Sequence, residues 1–504
     1  MGLDMLIPAP LLQAVFIPVL IAPITMLLGR KYGRKVSWLN FVALTYSTLM
    51  LLMVGLEVRS AGPVLEVYSM VPLANVNFGL LADNLSLPVA VILNLSAVAL
   101  SVFSGHYIDH RIDVLYNGNK KYHAVYHTLF LIFATGILGT ILATNLIILY
   151  LFLEIVYIPL YFIMRFFGYV TKERVALMSF FWGTLGTTFF LVGAMLTYMG
   201  IGSFQIFDMP TLVGTSVVDL VVFFMLIGLL IKMATFGFHV WLPWVHAEHP
   251  TSIAGILAVI VGLGNYVIAR ILIQQLYIPF QIYSTPLMFL ALVTMVYGAY
   301  LTLAQDDIKR LYACSTISQN AYCLLGLASM TSIGVAGGIF YFLSHSLGKT
   351  ILFSIAGILV FRTGNRDMRK MGGLASKMPV TALLTIMGAM ILSAMPPLSG
   401  FQAELIMFIG IFLQGTFTNL TSFLIALGGI IATIFTVAYT FWPVRRIFFG
   451  PPKIKNSNSH EIKEAPWSMT VPLLMLAFVS LLLGIFPSLV MDFLTAFAES
   501  LPLG

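Results

Sequence analysis

At 504 residues the chain could hold several soluble domains, but 60% of it is hydrophobic and only 9% is charged, against about 25% charged residues in globular proteins. A soluble fold is excluded. What remains is an integral membrane protein, whose net charge of +7 has to be read as topology before it is read as an acidic partner.

Apolar windows of about 19 residues predict spans at 10–29, 37–56, 80–104, 124–143, 145–166, 174–198, 218–249, 252–274, 284–304, 309–329, 333–361, 380–414, 420–444 and 468–497. The fold class is therefore an all-α integral membrane protein of about 14 helices. The first run is too long for a signal h-region and lacks a small-residue cleavage site, so it counts as a helix, and no transit peptide is evident. Only Thr144 and Asn145 separate the fourth and fifth spans. Starting outside, alternation puts Arg59 alone in an outer loop and leaves Arg165, Lys232, Arg270 and Lys349 inside helices. The rest of the 26 Lys and Arg, among them Arg30, Lys120, Lys172, Lys309, Arg366, Arg445, Lys455 and Lys463, fall in inner loops. That bias predicts an even number of spans with both termini on the outer side, and it explains the net charge without nucleic acid. Cys314 and Cys323 point to opposite sides of one predicted helix and read as small buried residues.

The seventh span, VDLVVFFMLIGLLIKMATFGFHVWLPWVHAEH, carries Lys232 near its middle. A cation there costs about 2.5–3.5 kcal/mol on insertion scales, so protein or water must solvate it. The alternative is a lysine that snorkels to the interface. Just beyond it, Thr235, Phe236, Gly237 and Pro243 predict a break in the helix. The twelfth span breaks in the same way at Ser393-Ala-Met-Pro396-Pro397-Leu-Ser399-Gly400, and Ser399 with Gln402 has the pattern that caps a restarted helix. Two breaks five spans apart predict inverted five-helix repeats of a transporter, with the ion site near the midplane. The organisation is then residues 1–123 (the first three spans), 124–276 (first repeat), 277–447 (second, inverted repeat) and 448–504 (inner loop and last span).

Among the acids, only Glu154 and Glu404 sit well inside a span. Alone, Glu154 would favour its neutral form, whereas beside Lys232 each group favours the other's charge. The two make either a switchable proton pair or a static buried ion pair. Glu404, one turn past Gly400, suits a proton exit, or else it bonds the broken backbone. His345 and Lys349 share a helix face and read as a relay. His239 lies in the seventh-span break, where freed carbonyls or a water path would engage it. His246, Glu248 and His249 cluster where that span meets the inner side, as candidate proton gatherers or as a solvated helix end. His123 and His127 have i,i+4 spacing but no further metal ligands. Arg165 and Arg270 lie near helix ends and read as snorkelling. There is no phosphate loop, three-glycine dinucleotide fingerprint, CxxC or nucleophile elbow, so any redox chemistry belongs to a partner.

The stretches ADNLSLP (82–88), FLE (152–154), IKMATFGFHVWLPWVHAEHPT (231–251), QDDIKRLYACSTISQNAY (305–322), SHSLGKTILF (344–353) and MPPLSGFQAE (395–404) resemble the antiporter-like membrane subunits of respiratory complex I. These are shared with multisubunit Mrp-type cation/proton antiporters and membrane-bound hydrogenases, and the resemblance covers roughly residues 75–450. A carboxylate at Glu404 resembles the chain M type, where chains L and N more often carry lysine. A chain L subunit would also need a long lateral helix, for which nothing remains after residue 497. The resemblance implies Glu154 and Lys232 as the proton-switching pair, His345 and Lys349 as the central relay and Glu404 as the terminal residue, with His239, His246 and His249 as candidate path residues. It departs at Gly262, where the family usually has lysine, and at Gln319 and Asn320, where a histidine often stands.

The function implied is proton translocation within a complex I-like quinone oxidoreductase, with no redox active site, metal or cofactor on this chain. NAD(P)H or ferredoxin, iron–sulfur clusters and quinone would reside in partner subunits. The partners implied are chain L-like, chain N-like and quinone-site subunits in an energy-transducing membrane such as a cell inner membrane or thylakoid. The alternatives are a sodium-exchanging Mrp-type subunit and a non-pumping scaffold in which Gly262 marks a disabled relay.

Overall fold

The computed structural model describes residues 7–71, 76–418, 420–453 and 462–502, so Lys455 among the expected inner-loop cations lies outside the described residues. Helices α1 (Pro10–Tyr32) and α2 (Ser37–Ala61) precede an antiparallel hairpin, β1 (Val64–Val71) and β2 (Val76–Ala82), in which Val64 pairs with Ala82. Charge places the hairpin. Glu66 accepts from the backbone N–H groups of Leu11 and Leu12 at 2.7 and 2.9 Å, the free donors of α1's first turn, where the helix dipole favours an anion. The expected span at 80–104 is corrected accordingly. Residues 80–82 belong to β2, Asp83 turns the chain by accepting from the N–H groups of Leu85 and Ser86, and helix α3 runs Ser86–Tyr116.

There follow α4 (Lys121–Leu142), α5 (Leu146–Phe167) and α6 (Lys172–Ile201). The split between α4 and α5 holds because the Asn145 side chain accepts from the N–H of Ile147 at 2.9 Å and starts a new helix. The next helix is broken into α7 (Val218–Lys232) and α8 (Leu242–Glu248), and α9 (Thr251–Val267) continues into a π-helical turn at Ile268–Ile273. Then come α10 (Tyr277–Gln281), α11 (Ser284–Leu303), α12 (Ile308–Ala328), α13 (Ser332–Thr363), the second broken helix α14 (Pro379–Leu392) and α15 (Ser399–Thr418), and α16 (Leu420–Phe448). The last expected span, 468–497, is instead two helices, α17 (Trp467–Ile485) and α18 (Ser488–Glu499), parted at Pro487.

Ten helical stretches among the described residues are long and apolar enough to cross a membrane, and the first, Pro10–Ala61, covers two expected spans. The centre of the bundle is α9, α12 and most of α13, which are buried on every side. An all-round buried helix can carry polar groups only where neighbours meet them, and α12 is rich in Ser, Thr, Asn and Gln.

The two breaks are built alike. After Lys232, Ala234 takes a left-handed φ of 52° with Ala234 N–H to Ile231 O and Thr235 N–H to Leu230 O. After Leu392, Ala394 takes φ 51° with Ala394 N–H to Ile391 O and Met395 N–H to Met390 O. Shared backbone strain at a non-glycine residue, at breaks five expected spans apart, is the mark of a repeat. Lys232 in the first repeat therefore corresponds to Leu392 in the second.

Candidate functional site

Lys232 is the last residue of α7 and is 4% exposed. It does not snorkel. Its stem lies against Gly186 of α6, where a Cβ would meet Lys232 Cγ at 2.7 Å and the Gly228 carbonyl at 2.9 Å. Its ammonium sits 4.4 Å from the ring centroid of Tyr157 on α5, a cation–π contact in a desolvated setting. Among the described residues the Lys232 Nζ has no hydrogen-bond partner. Glu154 lies one turn before Tyr157 and is half-buried, and its carboxylate accepts from the Thr187 hydroxyl. Glu154 is the charge whose field reaches Lys232, yet no ion pair within 4.0 Å joins them, so the static pair expected as an alternative is not formed here. Tyr157, Thr187 and the small-residue pair Gly183 and Gly186 were missing from the sequence reading. The spacing of those glycines next to Thr187 was the available signal, since small residues let membrane helices approach closely.

The break itself is satisfied by side chains. Phe236 N–H donates to Thr294 Oγ1 at 3.1 Å, and the His239 ring is 3.1 Å from the Tyr297 hydroxyl instead of meeting freed carbonyls.

Lys349 and His345 both lie wholly inside the bundle on α13. Lys349 turns to α12, donating to the Tyr312 carbonyl at 2.9 Å and to the Ser315 hydroxyl, while both ring nitrogens of His345 are without partners among the described residues. His246 is likewise buried with both nitrogens unpartnered among the described residues, and its ring packs edge-on against Phe353 of α13. Both ring nitrogens of His249 face carbonyls, Nδ1 that of Val245 at 3.0 Å and Nε2 that of Leu160 at 3.3 Å, and only the doubly protonated imidazole donates to both. Glu248 accepts from Thr171 N–H at 3.1 Å and lies 3.5 Å from Arg366. The solvated-end reading of His246, Glu248 and His249 is thus overturned, because all three are buried.

Two cations were misplaced by the sequence. Lys309, expected in an inner loop, is 0% exposed. It donates to the His249 carbonyl at 2.5 Å and lies 4.0 Å over the Tyr169 ring, which Arg111 flanks at 4.1 Å. Position next to Asp307, the cap of α12, hid it among loop residues. Arg270, expected to snorkel, is buried on the π-helical turn. It grips Asp83 with two bonds of 2.6 and 2.7 Å. Burial pushes the Asp83 carboxyl up, but the Arg270 guanidinium and hydrogen bonds from Arg270 and Ser86 outweigh it and hold it below the usual carboxylate range.

Glu404, half-buried on α15, faces Tyr322 and Tyr341. These tyrosines belong to one hydrogen-bonded network. Tyr341 donates to Gln319 Oε1 at 2.8 Å, Gln319 Nε2 donates to the Tyr439 hydroxyl at 2.7 Å and lies 3.4 Å from the Leu392 carbonyl, and Tyr322 meets Thr436 at 2.8 Å. Gly262 has no room for a side chain: a Cβ would meet Phe342 Cε2 at 2.6 Å and Asn320 Oδ1 at 3.0 Å. Ser399 opens α15, but its hydroxyl bonds Ser344 and Ser480 at 2.7 Å each, which replaces the expected capping arrangement with Gln402. His123 and His127 bond outside themselves, to Asp109 and Asn40. Cys314 and Cys323 are buried free thiols.

Residues 143–434 match the family described as NADH:quinone oxidoreductase/Mrp antiporter, transmembrane. NAD(P)H-quinone oxidoreductase chain 4-2 of Synechocystis sp. is 29% identical over 465 residues, 89% of this chain and 78% of its own length. NADH-quinone oxidoreductase subunit M of Rickettsia prowazekii is 31% identical over 320 residues, 63% of this chain and 65% of its own. A chain of the Mrp complex from Dietzia sp. DQ12-45-1b superposes with a TM-score of 0.85 at 20% identity, covering 98% of both chains. One from respiratory complex I of Thermus thermophilus with bound NADH gives 0.84 at 22%, covering 97% of this chain and 99% of that one. The structural likenesses carry the fold.

Proposed function

This chain belongs to the NADH:quinone oxidoreductase/Mrp antiporter transmembrane family, and from that premise we propose that it is a chain M-type, proton-translocating subunit of a complex I-like quinone oxidoreductase. Redox energy released in partner subunits drives proton transfer here. NAD(P)H or ferredoxin, iron–sulfur clusters and quinone act in those partners, which include chain L-like, chain N-like and quinone-site subunits. The chain sits in an energy-transducing membrane with both termini outside. Residues 124–276 and 277–447 form the two inverted repeats, flanked by 1–123 and 448–504.

One observation carries the reading: Lys232 is buried at a helix break with its ammonium on an aromatic face, and Glu154 on α5 accepts from the Thr187 hydroxyl without pairing with Lys232. A lysine so placed holds its proton only while a neighbouring charge and water stabilise it. Movement of Glu154 toward it favours loading and movement away favours release. Released protons pass to His345 and Lys349, then through the Gln319 and tyrosine network to Glu404. His246, His249 and His239 serve the inner-side supply. Moving one charge against 100 mV takes about 2.3 kcal/mol, within reach of one such change of environment.

Lys232→Met in the assembled complex, assayed in sealed vesicles for quinone-coupled turnover and for proton uptake, tests the reading. Loss of both supports it, and wild-type values for both would make the chain a scaffold. Transport that requires sodium would place it with the cation-exchanging Mrp subunits instead.

A further inference from the structure

Helix α16 leaves one long apolar face uncovered. Leu427, Ile431 and Ile434 are 42%, 53% and 66% exposed, and Trp442, 48% exposed, carries the stripe to the inner end at helical spacing. One turn further, Arg445 is exposed on the same side, whereas its neighbour Arg446 is held by Asp306 at 2.8 Å. The chain then folds back. A Cβ on Gly372 would meet the Pro451 carbonyl at 2.1 Å, so the two segments touch through backbone, and Lys453 Nζ donates to the Arg369 carbonyl at 3.3 Å. Between the helix end and this returning loop lies an open cavity of about 570 Å³, lined by Trp442, Arg445, Arg446, Phe449 and Lys453.

The order of chemistry along this face is hydrocarbon, then aromatic rings, then the cations Arg445 and Lys453, which have no acidic partner among the described residues. That is the profile of a single phospholipid read from tail to head: apolar side chains meet the acyl region, Trp sits at the headgroup level, and Lys and Arg meet an anionic phosphate. We propose that this cavity is a binding site for an anionic phospholipid of the inner leaflet, with its phosphate between Arg445 and Lys453 and an acyl chain along Leu427, Ile431 and Ile434. A free phosphate ion would use the cations and leave the apolar stripe unexplained. A partner protein docking here would have to bring acids for Arg445 and Lys453.

The test uses the whole complex reconstituted into vesicles containing brominated lipid, with tryptophan fluorescence as the readout. The Trp442 share is taken as the difference between the native complex and its Trp442→Phe variant. Brominated phosphatidylglycerol, diluted in phosphatidylcholine, is expected to quench that share several-fold more than brominated phosphatidylcholine at the same bromine density. Arg445→Gln and Lys453→Gln are each expected to weaken the preference about fivefold, with no loss of assembly because both side chains are exposed. Equal quenching by the two lipids would overturn the proposal, since it would mean bulk contact only. Displacement by millimolar inorganic phosphate would overturn it in favour of a free-anion site. Shielding of Trp442 from both lipids would overturn it in favour of a protein neighbour.

Discussion

Substituting Gly186 with alanine perturbs the proposed switch without removing any charge. The new Cβ would stand 2.7 Å from Lys232 Cγ and 2.9 Å from the Gly228 carbonyl oxygen. Ordinary carbon–carbon contact needs about 3.5–4.0 Å, so the lysine stem, or α7 as a whole, must withdraw by about 1 Å. Overpacking of this kind costs about 1–3 kcal/mol. The ammonium, 4.4 Å from the Tyr157 ring centroid, also loses a contact worth about 0.5–2 kcal/mol. Expressed in the proton-transfer step, a cost of that size slows pumping about 10–100-fold. The assay is quinone-coupled proton uptake in sealed vesicles, normalised to the amount of assembled complex on a native gel. Gly183→Ala, whose Cβ would meet Tyr157 Cε1 at 2.5 Å, displaces the ring instead of the lysine and is expected to act in the same direction. An assembled Gly186→Ala complex that pumps at the native rate would refute the claim that the seat of Lys232 sets its chemistry.

Arg270→Ala leaves Asp83 buried without its partner and is expected to cost about 3–5 kcal/mol, most of it regained in the Asp83→Leu, Arg270→Met double variant. Thermal melting checks this, and an undiminished melting temperature for the single variant would contradict it. Because the folded Asp83 carboxyl lies below its ordinary range, the pair's contribution is complete above about pH 4 and fades as the pH falls through the folded value. Acid therefore narrows the gap between native protein and Arg270→Ala. Lys309→Met removes the bond to the His249 carbonyl and is expected to raise amide exchange at Ala247–Thr251 about tenfold, measured by hydrogen–deuterium exchange, with unchanged exchange as the contrary result. Gly262→Lys alone is expected to lower assembly sharply, since its Cβ would lie 2.6 Å from Phe342, and Phe342→Ala is expected to restore it. Normal assembly of the single variant would show that the space is not closed.

The breaks and the buried lysines on α7 and α13 were legible because each is written locally, as a charge in an apolar run or a proline after it. What was hidden depends on partners distant in sequence. Arg270 looks like a snorkelling residue until Asp83 is brought beside it, and Lys309 looks like a loop cation until Tyr169 and the end of α8 close over it. Hydropathy alone also read residues 80–82 as part of a helix, although they alternate as a strand in a hairpin whose Glu66 is spent on the first turn of α1. In each case a window along the chain sees composition, whereas burial is decided by which helices pack together.

The parallel geometry of the two breaks gives their chemical difference a meaning. At the same point of the repeat the first carries an ammonium on a flexible stem and the second carries Leu392, whose carbonyl lies within reach of the Gln319 amide. An ammonium can be emptied and reloaded, while an amide–carbonyl contact has no charge to move. Beyond His345 and Lys349 on α13, the proposed path through the second half runs over neutral donors and acceptors, from Gln319 through Tyr341 and Tyr439, before Glu404 is reached. On the proposed path, loading and release of a proton at a helix break fall to the first half alone, where Lys232 and Glu154 lie. One break charged and the other not is the asymmetry that the proposed directional pump requires and that two identical breaks would lack.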